Sequence, residues 1–257
     1  MKNYHFYGQL CSWFYEIDKP FPNEKELQFY LSFADKKMNI LEPMCGTGRF
    51  LVEFIKKGFN IDGFDLSNEM LNICKSKIEK LPVKSNNILQ CCNFNEFMPN
   101  KKYDYIFIPS GSFSLIINDN SIVESLSHLE GLCKQNGKIL LELIINNEVD
   151  KYLISEDYSK TKTVKQGNVE ITLFQKTIAI DEKTGIEHSM YKYELHENGK
   201  YIRQEEEAIN VKYYLANELE KYLAGTSLNI KNKYADYDKE IYVNQKVEKI
   251  IYEIIKK

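Results

Sequence analysis

Arginine is almost missing from this 257-residue chain: of 34 basic residues only Arg49 and Arg203 are arginine, against 37 acidic residues and a net charge of −3. Nucleic-acid binders normally present a basic face with bidentate arginines, so this balance argues against DNA or RNA as the partner. Long apolar runs are absent as well. Stretches such as Tyr105 to Ile108 fall far short of the roughly 20 residues that span a bilayer. The start, Met1-Lys2-Asn3-Tyr4-His5, lacks the apolar core of a signal peptide, and the expected location is the cytoplasm. The six cysteines form no Cys-x-x-Cys pair and no Cys/His cluster at zinc spacing. Cys91 and Cys92 are adjacent and would face opposite ways on one strand, so reduced thiols and no metal are expected. Cys45, Cys91 and Cys92 read as small buried residues rather than nucleophiles, and Glu205-Glu206-Glu207 as a solvated stretch rather than a metal site.

From Asn39 to about Glu142, short apolar runs alternate with helical stretches, the pattern of βαβ units and a mostly parallel sheet. Strands are expected at 39 to 42, 60 to 64, 87 to 92, 103 to 108 and 137 to 145. Between them, Phe50 to Lys57 reads as a helix closed by Gly58, and Glu69 to Leu81 as one stopped by Pro82. Ser121 is placed to cap a third running to about Gln135, with Asn136-Gly137 turning into the fifth strand. After Asn147 the texture changes to three long β-rich stretches, 169 to 180, 186 to 197 and 201 to 214. Asn198-Gly199 between the last two is a type I′ hairpin signal. A helix over Leu215 to Leu223 and strands over 228 to 237 and 249 to 255 follow. Glu24 to Phe33 looks helical, and Tyr4 to Tyr15 forms an aromatic leader that fits either core filling or a lid.

The segment Asn39 to Phe50, NILEPMCGTGRF, is an apolar strand, an acidic residue, a glycine-containing turn and a helix start. Gly46 and Gly48 let the backbone approach a ligand, and helix amides then face it. At the end of the second strand lies Asp65, where a carboxylate can accept both hydroxyls of a ribose. Together these imply an adenosine-containing cofactor. A dinucleotide fingerprint is weakened because Leu51 stands at the third glycine site, and a P-loop is excluded because no Gly-Lys-Ser/Thr follows.

At these residues the chain resembles the class I S-adenosylmethionine-dependent methyltransferases, whose first motif runs acidic-x-Gly-x-Gly-x-Gly. The stretch Asp65-Leu66-Ser67-Asn68-Glu69-Met70-Leu71 is similar to the family's second-strand sequence. Cys91 to Phe97, after the third strand, sits where the family places an adenine-binding acid and its neighbour, Tyr103 to Ser110 fits its fourth strand, and Asn136 to Leu140 the turn into its fifth. The resemblance covers about 39 to 148 and 214 to 257. It implies a Rossmann-like, doubly wound α/β fold with a mostly parallel seven-stranded sheet and an antiparallel β insertion. The expected domains are 1–148 with 214–257 for S-adenosyl-L-methionine binding, and 149–213 as an inserted cap. It further implies that Glu42 accepts from the cofactor's amino group, that Cys45, Gly46 and Gly48 lie in the turn beneath methionine, and that Asp65 holds the ribose. Leu66 and Phe94 would flank adenine, Asn93 would meet its edge, and Ser110 would border methionine and acceptor. Met44 departs from the family's first glycine and Asn93 from its usual aspartate. The implied activity is methyl transfer to a small molecule, with a macromolecular acceptor or a noncatalytic sensor as the alternatives. General-base candidates are His5, Tyr7, Glu142, Asn146 and Glu148, none of them assigned. Structural or surface roles are expected for His128, His188 and His196. The acceptor atom and the oligomeric state cannot be read from the sequence.

Overall fold

The computed structural model describes residues 7–82, 87–146 and 154–257. Parallel strands β1 (Asn39–Pro43), β2 (Asn60–Asp65), β3 (Leu89–Cys91), β4 (Tyr103–Ile108) and β5 (Cys133–Ile144) are joined by β10 (Leu228–Tyr234) and β11 (Lys249–Lys256). The order is β10-β11-β5-β4-β1-β2-β3, with β11 antiparallel to both neighbours. Both faces are covered, which is why the strands read as nearly continuous apolar runs. Leu41, Ile106, Ile108 and Leu141 pack on the side of helix α5 (Asp119–Leu132) and the short α6 (Leu219–Leu223). Their neighbours Ile40, Tyr105, Phe107 and Leu140 pack on the side of α2 (Glu24–Leu31), α3 (Leu51–Lys56) and α4 (Asn68–Glu79).

The insertion forms its own antiparallel sheet, β6 (Ser159–Gln166), β7 (Val169–Asp181), β8 (Ile186–Glu197) and β9 (Lys200–Lys212), paired in sequence order. Its two ends are tied together, because Ile145 bridges Tyr214 and Tyr214 N–H donates to Ile144 O at 2.8 Å. Asn198 and Gly199 both adopt positive φ, 51° and 76°, as a type I′ turn requires.

Helix α1 (Gln9–Asp18) lies between this sheet and the main body. Leu10, Cys11 and Phe14 pack against Ile171, Leu173, Tyr193 and Leu195, with Met70 of α4 in the same cluster. Its first amides are held by β9: Glu207 accepts from Gly8 N–H, and Glu205 accepts from Leu10 N–H at 2.8 Å. The triple-glutamate segment is therefore no solvated run, since Glu207 is buried and two of its three carboxylates complement the positive end of a helix.

Other expectations shift. The leader is a helix from Gln9 onward, and β6 is an additional strand. Asn118, rather than Ser121, caps α5 by accepting from Asn120 and Ser121 N–H. β5 is already under way at Cys133, and Asn136 (φ 61°) lies inside it where the pairing with β4 slips. The helix expected from Leu215 shortens to Leu219–Leu223. Cys91 is exposed rather than buried. Tyr4, His5, Phe6, Asn147 and Glu148 lie outside the described residues.

Candidate active site

A cavity of about 380 Å³ opens at the carboxyl ends of β1, β2 and β4, where open α/β sheets bind their ligands. The volume lies within the range of small-molecule sites. It is lined by Glu42, Cys45, Gly46, Asp65, Leu66, Asn93, Phe94 and Ser110, eight of the nine expected residues. Gly48 stays behind the wall. Its φ is +74°, and a Cβ there would collide with Cys74 Sγ of α4 and reach 3.2 Å from Val52 Cγ2, so this glycine serves helix packing.

The first turn is shaped by left-handed residues, Met44 (φ 56°) and Gly46 (φ 53°). A non-glycine in that region costs roughly 1 to 2 kcal/mol, and Met44 offsets this by packing against the α5-side core while lining the cavity. Asp65 ties the turn to β2: one carboxylate oxygen accepts from Gly46 N–H at 2.8 Å and the other from Ser67 N–H at 2.9 Å. Ser67, not Asp65, caps α4, its hydroxyl accepting from Met70 N–H at 3.1 Å. Burial raises Asp65 above the usual carboxylate range, and these backbone donors work against the rise.

Glu42 is only 2% exposed, and its Oε2 has no hydrogen-bond partner. Burial holds this carboxyl well above its ordinary pKa, with the nearby Cys74 adding to the rise and the Arg49 guanidinium opposing it. A buried carboxylate lacking a donor is costly, so a cationic group arriving in the cavity would complete it. Asn93 begins the short turn Phe94–Glu96, and its side-chain oxygen accepts from the Glu96 backbone. One lone pair remains for a ligand.

Sequence reasoning missed the lining residues Arg49 and Val211, whereas Tyr15 belongs to the aromatic leader read as core or lid. Arg49 follows Gly48 directly; its guanidinium donates to Ser110 Oγ and lies 3.5 Å from Glu26 Oε1, with both side chains largely buried. Its position one residue past the last turn glycine was the available signal. Tyr15 of α1 and Val211 of β9 also line the cavity. Of the base candidates among the described residues, only Tyr7 lines the cavity; burial raises its phenol, so it is a poor base. Glu142 is buried behind it. Among the described residues no cluster could hold a metal ion, and no helix is long and apolar enough to cross a membrane.

The fold is Rossmann-like, and its cavity opens beside the β1 turn and the end of β2. A family model described as a methyltransferase domain matches residues 40–137. A protein of Geobacillus sp. (strain WCH70) named as a methyltransferase is 26% identical over 193 residues, 72% of this chain and 75% of its own. Malonyl-[acyl-carrier protein] O-methyltransferase 2 of Ilyobacter polytropus is 26% identical over 206 residues, covering 79% of this chain and 71% of its own. The crystal structure of an S-adenosylmethionine-dependent methyltransferase from Clostridium acetobutylicum aligns with a TM-score of 0.76 at 19% identity, over 97% of this chain and 98% of that one. Residues 40–137 thus match a methyltransferase domain, set in a fold similar to that of S-adenosylmethionine-dependent methyltransferases.

Proposed function

We propose that the enzyme methylates a small molecule held between the parallel sheet and the inserted sheet, which acts as a cap, and that the cavity residues above hold the cofactor. The observation that carries the reading is the cavity's composition. The lining combines the carboxylates Glu42 and Asp65 and the guanidinium of Arg49 with the apolar or phenolic side chains of Tyr7, Tyr15, Leu115, Ile116, Ile144 and Val211.

S-adenosylmethionine supplies a methyl group already attached to a positively charged leaving sulfur. The protein then needs chiefly to position and to exclude water, effects that can supply roughly 7 to 11 kcal/mol. Glu42 Oε2 is the acceptor for the cofactor's amino group, and Arg49 the donor to its carboxylate. Asp65 accepts from the ribose. Leu66 and Phe94 border the adenine, and Asn93 offers its edge contact. Cys45 and Gly46 form the floor beneath the methionine portion, with Gly48 supporting them from behind. Ser110, at φ 61° and followed by Gly111 at 68°, borders the transferred group; backbone strain of this kind concentrates at functional sites.

The test is transfer of labelled methyl to a panel of small amines, hydroxyl compounds and carboxylates. Carrier-linked malonyl thioesters belong in the panel because of the similar O-methyltransferase. Labelled small-molecule product is expected, and Val211→Trp should block its formation while leaving affinity for S-adenosylhomocysteine within about twofold. Label appearing only on protein or RNA would overturn the acceptor class.

A further inference from the structure

Behind the cavity two buried carboxyls share one tyrosine. Tyr237 Oη lies 3.1 Å from Glu26 Oε1 and 2.9 Å from Glu142 Oε2, and both glutamates are buried. A phenol has a single hydrogen. It can donate to one of these oxygens; the other contact is a hydrogen bond only if that carboxyl bears a proton and donates to the phenol oxygen. Tyr30 adds a hydroxyl to Glu142 Oε2 at 2.9 Å, and that hydrogen too is spent as a donor.

One end of the cluster reaches the cavity. Glu26 Oε1 accepts from Ser110 Oγ at 3.2 Å and faces Arg49 at 3.5 Å, and both partners line the cavity. The other end approaches solvent, where Lys249 Nζ lies 3.9 Å from Glu142 Oε1 with its side chain 32% exposed, and stands 3.6 Å over the Tyr237 ring. The charged and titratable groups around the pair are thus Arg49 from the β1 turn, Lys249 from β11, Tyr30 on α2, Tyr237 after β10, and Tyr15 from α1 facing Glu26. Burial raises Glu142 above the ordinary carboxylate range, with Lys249 opposing the rise. Of the carboxylates lining the cavity, Glu42 and Asp65 are given to the cofactor, and among the described residues no histidine lines it.

We infer that Ser110, Glu26, Tyr237 and Glu142 form a proton relay that takes up the proton an N–H or O–H acceptor loses on methylation. The inference rests on the methyl-transfer reading above. At rest the pair holds one proton: Glu142 carries it and donates to Tyr237, which donates to the ionised Glu26. The acceptor's lone pair forms the bond to the methyl carbon, and the methyl–sulfur bond breaks with its electron pair on sulfur. The acceptor's proton goes to Ser110 Oγ as the serine's own proton moves to Glu26 Oε1. Glu142 then releases its proton to solvent, Tyr237 passes its hydrogen to Glu142 Oε2, and Glu26 passes the proton it gained to Tyr237, which restores the resting state. Glu142 and Tyr237 touch neither cofactor nor acceptor, and they act through Ser110.

Two measurements test this. Infrared spectra of the ligand-free protein at neutral pH should contain, besides any band from Glu42, a protonated-carboxyl C=O band that disappears in Glu142→Gln and shifts in Tyr237→Phe. This needs no acceptor and so stands apart from the transfer reading. With the first acceptor turned over, Tyr237→Phe should lower kcat about tenfold or more, a modest share of what proton transfer typically contributes. It should also displace the pH profile while leaving S-adenosylhomocysteine affinity within about twofold. Acid bands unaltered in both variants, or a Tyr237→Phe enzyme with unchanged kcat and pH profile, would overturn the relay. A wild-type protein that transfers methyl to no acceptor would defeat the transfer reading and the relay with it, even where the infrared bands still report a shared proton.

Discussion

Glu42→Gln separates the charge of this side chain from its shape. In the ligand-free protein the carboxyl is buried, its Oε2 is unpartnered, and burial holds its pKa well above the ordinary value. Below that raised pKa the group carries a proton. An ammonium and a sulfonium entering the cavity favour the ionised form and pull the pKa down. Between the bound and the free pKa, cofactor binding therefore releases a proton, and affinity climbs with pH. Stability of the free protein moves the other way, because the folded state holds a proton that the unfolded chain has lost. This contribution is fully present below the unfolded pKa and is lost as pH rises through the folded one. A hydrogen bond to a charged group contributes about 1.5 to 3 kcal/mol. Glu42→Gln should thus weaken S-adenosylmethionine by roughly 10- to 150-fold, at about 1.4 kcal/mol per tenfold. Calorimetric titration in buffers of different ionisation enthalpy reads both quantities. The wild type should release up to about one proton and the variant none from this site. Equal affinity, together with equal proton release, would refute the assignment.

Asp65→Ala removes the acceptor for Gly46 and Ser67 N–H as well as the proposed ribose contact; cofactor affinity should fall by about 1.5 to 3 kcal/mol in an equilibrium titration, and unchanged affinity would remove the ribose role. Gly48→Ala places a methyl against Cys74 at φ +74° and should cost about 1 to 3 kcal/mol in denaturant unfolding, part of it recovered in Gly48→Ala/Cys74→Ala; additive losses would contradict the steric cause. Burial pushes Glu207 up to about 7, so its contribution is present below the unfolded value and lost as pH rises through about 7. Chemical denaturation should show a steeper loss of stability from slightly acidic to slightly basic pH in the wild type than in Glu207→Gln, and parallel curves would exclude this group.

The parallel core was legible because its strands are buried on both faces and bounded by turn residues. Tyr103–Ile108 reads as the same strand in sequence and structure. β6 was not, because Ser159–Gln166 is an edge strand with lysines and hardly any buried side chains, the composition that guards edges against pairing. α1 hid among its aromatics, although Leu10, Phe14 and Ile17 keep helical spacing. In the site, the residues at strand ends were legible from the turn and its acidic partner. Arg49, Glu26 and Tyr237 were not, because what joins them is tertiary: Tyr237 lies far from Glu26 in the chain and meets it only once the β10–β11 region has folded beside α2.

The proposed cofactor site spans the β1 turn, the end of β2 and the end of β4. A crystal structure of the protein with S-adenosylhomocysteine tests it most directly. The ribose hydroxyls are expected on Asp65, the amino group on Glu42 Oε2, the carboxylate toward Arg49 and the adenine between Leu66 and Phe94. Ligand bound elsewhere, or a cavity that stays empty at saturating concentration, would contradict it.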